Sequence, residues 1–395
     1  MIKRKKKNKE HNPFYDPTLK KRHVSAKRFK KFTLTSLIFS VAFLAFFLFD
    51  MIGKGIPAFN IAYIKVDVTF NEKTLEDTRF AVPTAYRNLV SRAALRDLPK
   101  LLEENPTYMN STQNIWILAS SQVDQYIKNH NHNLKDKDIA KVDELYAQGL
   151  IDKKFNAIFF ENGDSKIPEY AGIFSAVIGS ILTLIITMAV AFPIGVMTAI
   201  YLEEFALDNK FTRFIEININ NLAAIPSILF GLLGLAIFIN LFGMPRSSPL
   251  VGGLTLALMT LPIIIVSSRA ALRAVPDSIR QAGYGLGLNK IQVTRDHVLP
   301  LAFPGIMTGS IIGLAQAMGE TAPLIIIGMI AFIPDAPSMV TQAATVMPAQ
   351  LFTWAGMPEG MYIEKTAAGI LVLLTILISL NAIAIYLRKK FEVKW

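Results

Sequence analysis

Glu320 is the single acid in a run of 37 residues, 298–334, that holds no other charge. A carboxylate at membrane depth is costly unless it meets a wet cavity or a partner, so it is a functional candidate by default. Two chemistries suit it. It pairs with a base and gates a path between two states, or it is protonated and merely hydrogen-bonded. Thr321, Ala322 and Pro323 follow at once. The proline interrupts the helical ladder beside the carboxylate, and unwound backbone at that depth lines the cavities of transport sites. Glu320, Thr321 and Pro323 are therefore gate candidates. Arg246, Arg269 and Arg273 are bases near enough to span ends to pair with Glu320, or to serve as interfacial anchors.

A second set of residues suits docking. The polar stretch 269–297 reads Arg280-Gln281-Ala282-Gly283-Tyr284-Gly285-Leu286-Gly287, then Val298-Leu299-Pro300. Pro276-Asp277 opens a short helix. Small residues at 282, 283 and 287 leave a surface that another chain could approach closely. Leu299-Pro300 marks the return to apolar sequence. A solvated loop with a surface helix would look the same.

Other chemistry is poorly supported. No Gly-x-x-x-x-Gly-Lys-Ser/Thr phosphate loop occurs, so ATP hydrolysis needs another subunit. There is no cysteine and no Gly-x-Ser-x-Gly elbow. His130 and His132 flank Asn131 without a third ligand, so neither a metal nor a cofactor is assigned. A membrane enzyme using Glu320 as acid or base is one alternative, and a sensor is another.

The elements that position these residues are membrane spans. The 395 residues are 52 % hydrophobic and 18 % charged, with mean hydropathy +0.38. That composition excludes low-complexity disorder, and the lack of cysteine excludes a disulfide scaffold. The apolar residues gather in uncharged runs at 32–49, 172–201, 217–245, 247–268 and 366–387, besides the run around Glu320. A hydrocarbon core needs roughly 20 residues to cross it. Six spans are expected, at about 32–55, 172–201, 217–242, 247–268, 298–333 and 366–387. The first is too long for a cleavable signal peptide and is expected to stay as an anchor.

Charge sets the orientation. Residues 1–31 hold 13 Lys/Arg and two acids, which accounts for the whole net charge of +11. Lys3–Lys7 would serve as a nucleic-acid arm or as a positive-inside anchor, and the apolar run that follows favours the anchor. With both termini cytoplasmic, the basic stretch 269–297 and the tail Arg388-Lys389-Lys390 fall on the same side. No nucleic-acid partner is expected.

Residues 56–170 differ in kind. They carry 14 Lys/Arg and 16 Asp/Glu, the density of a soluble domain. Strands are expected at 61–70 and 155–161, and helices at 83–102, 120–129 and 136–150. An α+β periplasmic domain between spans one and two follows, with 171–395 as the membrane core.

The 269–300 stretch resembles the coupling loop of ABC importer permeases, Glu-Ala-Ala, three residues, Gly, nine residues, Ile, any residue, Leu-Pro. Ala282, Gly287, Leu299 and Pro300 match at the right spacing; Gln281, Gly283 and His297 depart from it. Ala317-Met318-Gly319-Glu320-Thr321-Ala322-Pro323-Leu324 and the string 221–232 are similar to the phosphate-specific permeases of that family. The resemblance runs from about 169 to the C-terminus. It implies an all-α, six-span type I importer permease in the inner membrane, with no enzyme activity of its own. It also implies three partners: a second permease, an ATPase dimer docking on the 281–300 loop, and a periplasmic phosphate-binding protein. Sulfate or molybdate is the alternative substrate. An unpaired acid would repel an anion, which favours a paired Glu320 over a third reading, direct recognition of protonated phosphate by the carboxylate. The 56–170 segment resembles an extra domain of some of these permeases, at 116–120 and 159–165, and no function comes with it.

Overall fold

The computed structural model describes residues 18–330 and 332–391. The Lys3–Lys7 anchor lies outside them. Among the described residues five helices are long and apolar enough to cross a membrane: Leu19–Phe59, Phe174–Phe205, Pro249–Arg273, Lys290–Gly319 and Gly360–Lys390. A sixth is counted only if Lys210–Leu222 and Ser227–Leu241, bent by 104°, form one broken span. The helix Leu19–Gly55 exposes Phe32, Phe39, Phe43 and Phe46. The described residues from 54 to 391 pack as one compact unit.

Two expected spans are broken, and proline explains both. The 217–242 stretch is not one helix. Pro226 has no N–H to donate and disfavours the α region at Ile225; the first segment ends at Leu222, and Pro226 (φ −55°, ψ 135°) precedes the next. The 298–333 stretch is helical only over Leu299–Gly319. Glu320 is extended (φ −74°, ψ 131°), and a short helix, Ala322–Ile326, restarts with Pro323 in its first turn. By contrast Pro193 and Pro262 sit inside continuous helices. These two helices pack backbone to backbone. A Cβ on Gly253 would lie 2.5 Å from Ile186 Cβ. The Thr187 hydroxyl donates to the Gly253 carbonyl at 3.2 Å. Small residues at such contacts permit close packing without a hydrophobic driving force.

The charged segment contains a three-stranded antiparallel sheet. β1 (Asn60–Phe70) is central, flanked by β2 (Ser111–Leu118) and β3 (Ile151–Phe155). Ile64, Val66, Val68 and Phe70 of β1 are buried with Val90, Ile117 and Leu145 in one core. Helices Ser121–Ile127 and Asp136–Ala147 fall within the expected stretches. Two expectations fail. Phe155–Glu161 is not a strand: the chain turns at Asn156, whose side chain accepts from the Phe159 N–H and caps the helix Ala157–Glu161. The single helix at 83–102 is two, Arg92–Arg96 and Leu98–Glu104. Ser91 caps the first, and Pro99 suits the opening turn of the second.

Candidate functional site

The broken helix is positioned by a close backbone approach. Gly231, in the helix Ser227–Gly234, faces Pro323: a Cβ there would lie 2.7 Å from the Pro323 Cα and 2.8 Å from its carbonyl oxygen. Phe230, Ala317, Met318 and Leu324 are buried in one cluster around this contact. The strings 221–232 and 317–324, far apart in sequence, therefore meet. Pro323 is buried, and Glu320 and Thr321 are half-buried. The Glu320 N–H caps the preceding helix through the Ala317 carbonyl. Its carboxylate makes no ion pair or hydrogen bond among the described residues.

Two of the three candidate bases are engaged elsewhere. Arg269 donates to Glu216 at 2.5 Å and to Glu203 at 3.3 Å, and Arg273 donates to Glu203 at 2.7 Å. Neither is Glu320's partner here, because the acids of the Tyr201–Phe205 π turn and the Lys210–Leu222 helix hold both. Arg246 is exposed in a turn shaped by Gly243 and Ser247, both at positive φ (67° and 57°). Ser247 ties that turn to the chain beyond the broken helix: its hydroxyl donates to the Gly328 carbonyl at 2.7 Å, and its carbonyl accepts from the Ala344 N–H at 2.8 Å. The structure joins the loop of Arg246 to the segment of Glu320, yet it does not join the two charges.

The 269–297 stretch is built as sequence chemistry demands. Asp277–Gly285 is helical, and Leu286 closes it. Gly287 takes φ +84°, a region favouring glycine. Its N–H donates to the Tyr284 carbonyl at 2.9 Å, and the Leu288 N–H to that of Gly283 at 3.2 Å. This pair of bonds is the Schellman stop. Asn289 and Gln292 then form a reciprocal capping box that opens Lys290–Val293. Gly283 is buried against Val293, where a Cβ would sit 2.8 Å from a methyl group. Gln281, Ala282, Tyr284 and Leu286 are exposed, Leu286 by 79 %. A groove of about 190 Å³ runs beside them, lined by Ile279, Ala282, Gly283, His297 and Pro300. Leu299 starts the following helix, with Pro300 in its first turn, where a missing N–H is tolerated. Arg280 anchors the whole element. It donates to Glu204 at 2.7 Å, to the Leu272 carbonyl at 3.0 Å and to the Val275 carbonyl at 2.8 Å. Glu204 is buried, and its hydrogen bond raises the Arg280 pKa.

Sequence reasoning passed over one buried charge cluster. Glu364 accepts from Gln125 at 2.6 Å, from Lys128 at 3.1 Å and from His130 at 2.5 Å. Lys365, fully buried, donates to the Ala171 carbonyl at 2.6 Å. Asp124 accepts from the Ala62 N–H at 2.8 Å and pairs with Lys128 at 2.6 Å; burial raises its pKa. This cluster staples the sheet-bearing segment to the start of the last long helix. The available signal was Glu364-Lys365 abutting the 366–387 run, which reads equally as a span-end anchor. His130 serves this cluster, and among the described residues no group of three ligands could hold a metal. Asp164 is a further buried acid, outside this cluster. It accepts from the Trp354 indole at 2.8 Å and the Ser165 N–H at 2.9 Å, and burial pushes its pKa up to about 6.

Five long apolar helices, one of them broken off beside a half-buried carboxylate, suit a membrane transport component. Residues 191–393 match the family described as binding-protein-dependent transport system inner membrane component, and the chain belongs to it. Its members are permeases of ABC importers, not enzymes; ATP hydrolysis falls to a separate ATPase. The fold is the mostly helical type I importer permease fold. Residues 16–85 and 81–136 match a domain of unknown function, DUF3333. Among curated relatives, the phosphate transport system permease protein PstA of Mycobacterium leprae is 36 % identical over 160 residues, 40 % of this chain and 52 % of that protein. The probable ABC transporter permease protein YqgI of Bacillus subtilis is 33 % identical over 168 residues, 42 % of this chain and 56 % of its own length. PstA of Yersinia pestis is 30 % identical over 245 residues, 61 % of this chain and 81 % of that protein. The chain spans about half the length of the first two.

Proposed function

We propose that the chain is one of two membrane permeases of an ATP-driven importer, and that the two together form the path for inorganic phosphate. The observation that carries this reading is the Gly231–Pro323 contact. It brings together the two strings most similar to phosphate permeases, around a helix broken at a half-buried acid. Relatives named as phosphate transport permeases support the substrate.

In this reading residues 1–31 are a cytoplasmic tail and 32–55 the first span. Residues 56–170 form a periplasmic domain, 171–395 the permease core, and both termini are cytoplasmic. Glu320, Thr321, Pro323 and Arg246 serve the gate. Glu320 meets a base of the second permease in one state, since no base among the described residues pairs with it. Gln281, Ala282, Gly283, Gly287, Leu299 and Pro300 belong to the loop that docks on the ATPase. The partners are a PstC-like permease, a PstB-like ATPase dimer and a PstS-like periplasmic binding protein.

Uptake of labelled phosphate, sulfate and molybdate by cells carrying the full complex tests the substrate. Phosphate uptake should be saturable and insensitive to excess sulfate. Uptake of sulfate or molybdate alone would reassign the permease to that oxyanion.

A further inference from the structure

The sheet-bearing segment holds a cavity of about 700 Å³ lined by Asp77, Arg79, Phe80, Arg87, Arg92 and Arg96. Four arginines and one acid share it, and the acid is already engaged. Asp77 takes a two-pronged contact from Arg79, at 2.9 Å to Nε and 2.7 Å to Nη2. Arg87 is held in place from both sides. Its Nε donates to the Val82 carbonyl at 3.3 Å, and its guanidinium lies 4.9 Å from the Phe80 ring centre.

Arg92 and Arg96 are one turn apart on the same helix, whose other face buries Ala93 and Leu95 in the core. Neither makes an ion pair or hydrogen bond among the described residues. Like charges at this spacing repel, and among the described residues the one acid lining the cavity, Asp77, is paired with Arg79. Such an arrangement is compensated when an anion sits between the forks. Guanidinium groups bind phosphate oxygens in pairs of parallel hydrogen bonds, which a lysine cannot match. The cavity also leaves room for a phosphate ester.

We infer that this cavity is a binding site for a phosphoryl anion, free or as a lipid headgroup, with Arg87, Arg92 and Arg96 as its ligands. The site lies outside the broken-helix region and does not depend on which ion crosses the membrane.

Equilibrium dialysis of the full chain in detergent tests it at low ionic strength. The probes are orthophosphate, glycerol phosphate and dihexanoyl-phosphatidylglycerol, with dihexanoyl-phosphatidylcholine as the zwitterionic control. Saturable binding is expected, weakening with salt. Arg92→Gln/Arg96→Gln should lower the affinity by about tenfold per arginine. Binding of the soluble probes assigns a free ligand; binding of phosphatidylglycerol alone assigns a headgroup. Arg92→Lys/Arg96→Lys keeps the charge and loses the forks, so it should also bind less tightly, and it serves if the Gln variant fails to fold. No saturable binding of any probe, or equal affinity in the parent and both double variants, overturns the assignment.

Discussion

Replacing Arg280 with alanine should detach the docking loop from the membrane helices. Six contacts are lost at once: three to Glu204, the shortest at 2.7 Å, one to Asp277 at 3.2 Å, and the donations to the Leu272 and Val275 carbonyls. Glu204 is 6 % exposed, so it would be left as a buried charge without its partner. Breaking a buried pair from one side typically costs about 3–5 kcal/mol. The rest of the loop does not depend on Arg280: the Gly287 stop and the Asn289 capping box remain. The helix Asp277–Gly285 should therefore still form but open locally far more often. Hydrogen exchange of the full chain reads this directly. At about 1.4 kcal/mol per tenfold, protection of amides in 277–293 should fall at least a hundredfold. In the assembled complex, ATP hydrolysis should continue while uptake per ATP falls. Glu204→Gln/Arg280→Met removes both charges and should recover much of the protection, because the penalty lies in the orphaned carboxylate. Parent-like protection in Arg280→Ala would refute the anchoring role.

Three further outcomes are expected. Gly287→Ala meets no neighbour within 4 Å and costs only its left-handed backbone, about 1–2 kcal/mol; Gly231→Val would press on the Pro323 backbone and should be far more damaging, so equal melting temperatures for the two variants would sink the packing argument. Asp164 is pushed up to about 6 from 3.8, so the stability it contributes is complete below pH 4 and lost as pH rises through 6. The amount is about 3 kcal/mol at most, and a pH series of melting temperatures should be flatter in Asp164→Asn; an unchanged slope counts against it. Glu320→Gln should leave membrane insertion and subunit assembly intact while phosphate uptake falls steeply, and unaltered uptake with unaltered ATPase activity would falsify the gate.

What could be read from the sequence follows the range of the interactions concerned. Long apolar runs fix where helices lie, because twenty residues without charge have few soluble alternatives. The Gly287 turn and the Asn289–Gln292 box are local, with partners within six residues, yet the sequence reading uses Gly287 only as a small docking residue and does not extend to the box. The helix break beside Glu320 was visible in Pro323. The sharp bend at Pro226 was not, because Pro193 and Pro262 show that a proline alone does not end a helix. Pairing was the least legible. Arg280 and Glu204 are 76 residues apart, and Glu364 and Gln125 are 239 apart. Nothing local in either sequence neighbourhood names the other. The same blindness made Arg269 and Arg273 look available to Glu320 when Glu203 and Glu216 already held them.

Reconstitution of the complete complex into proteoliposomes puts the central claim to the most direct test. Labelled phosphate and released ADP are followed together, with ATP on the ATPase side and the binding protein on the other. The account predicts phosphate accumulation against its gradient, strictly dependent on ATP and abolished when this chain is omitted. Accumulation without ATP, or undiminished transport without this chain, would contradict it.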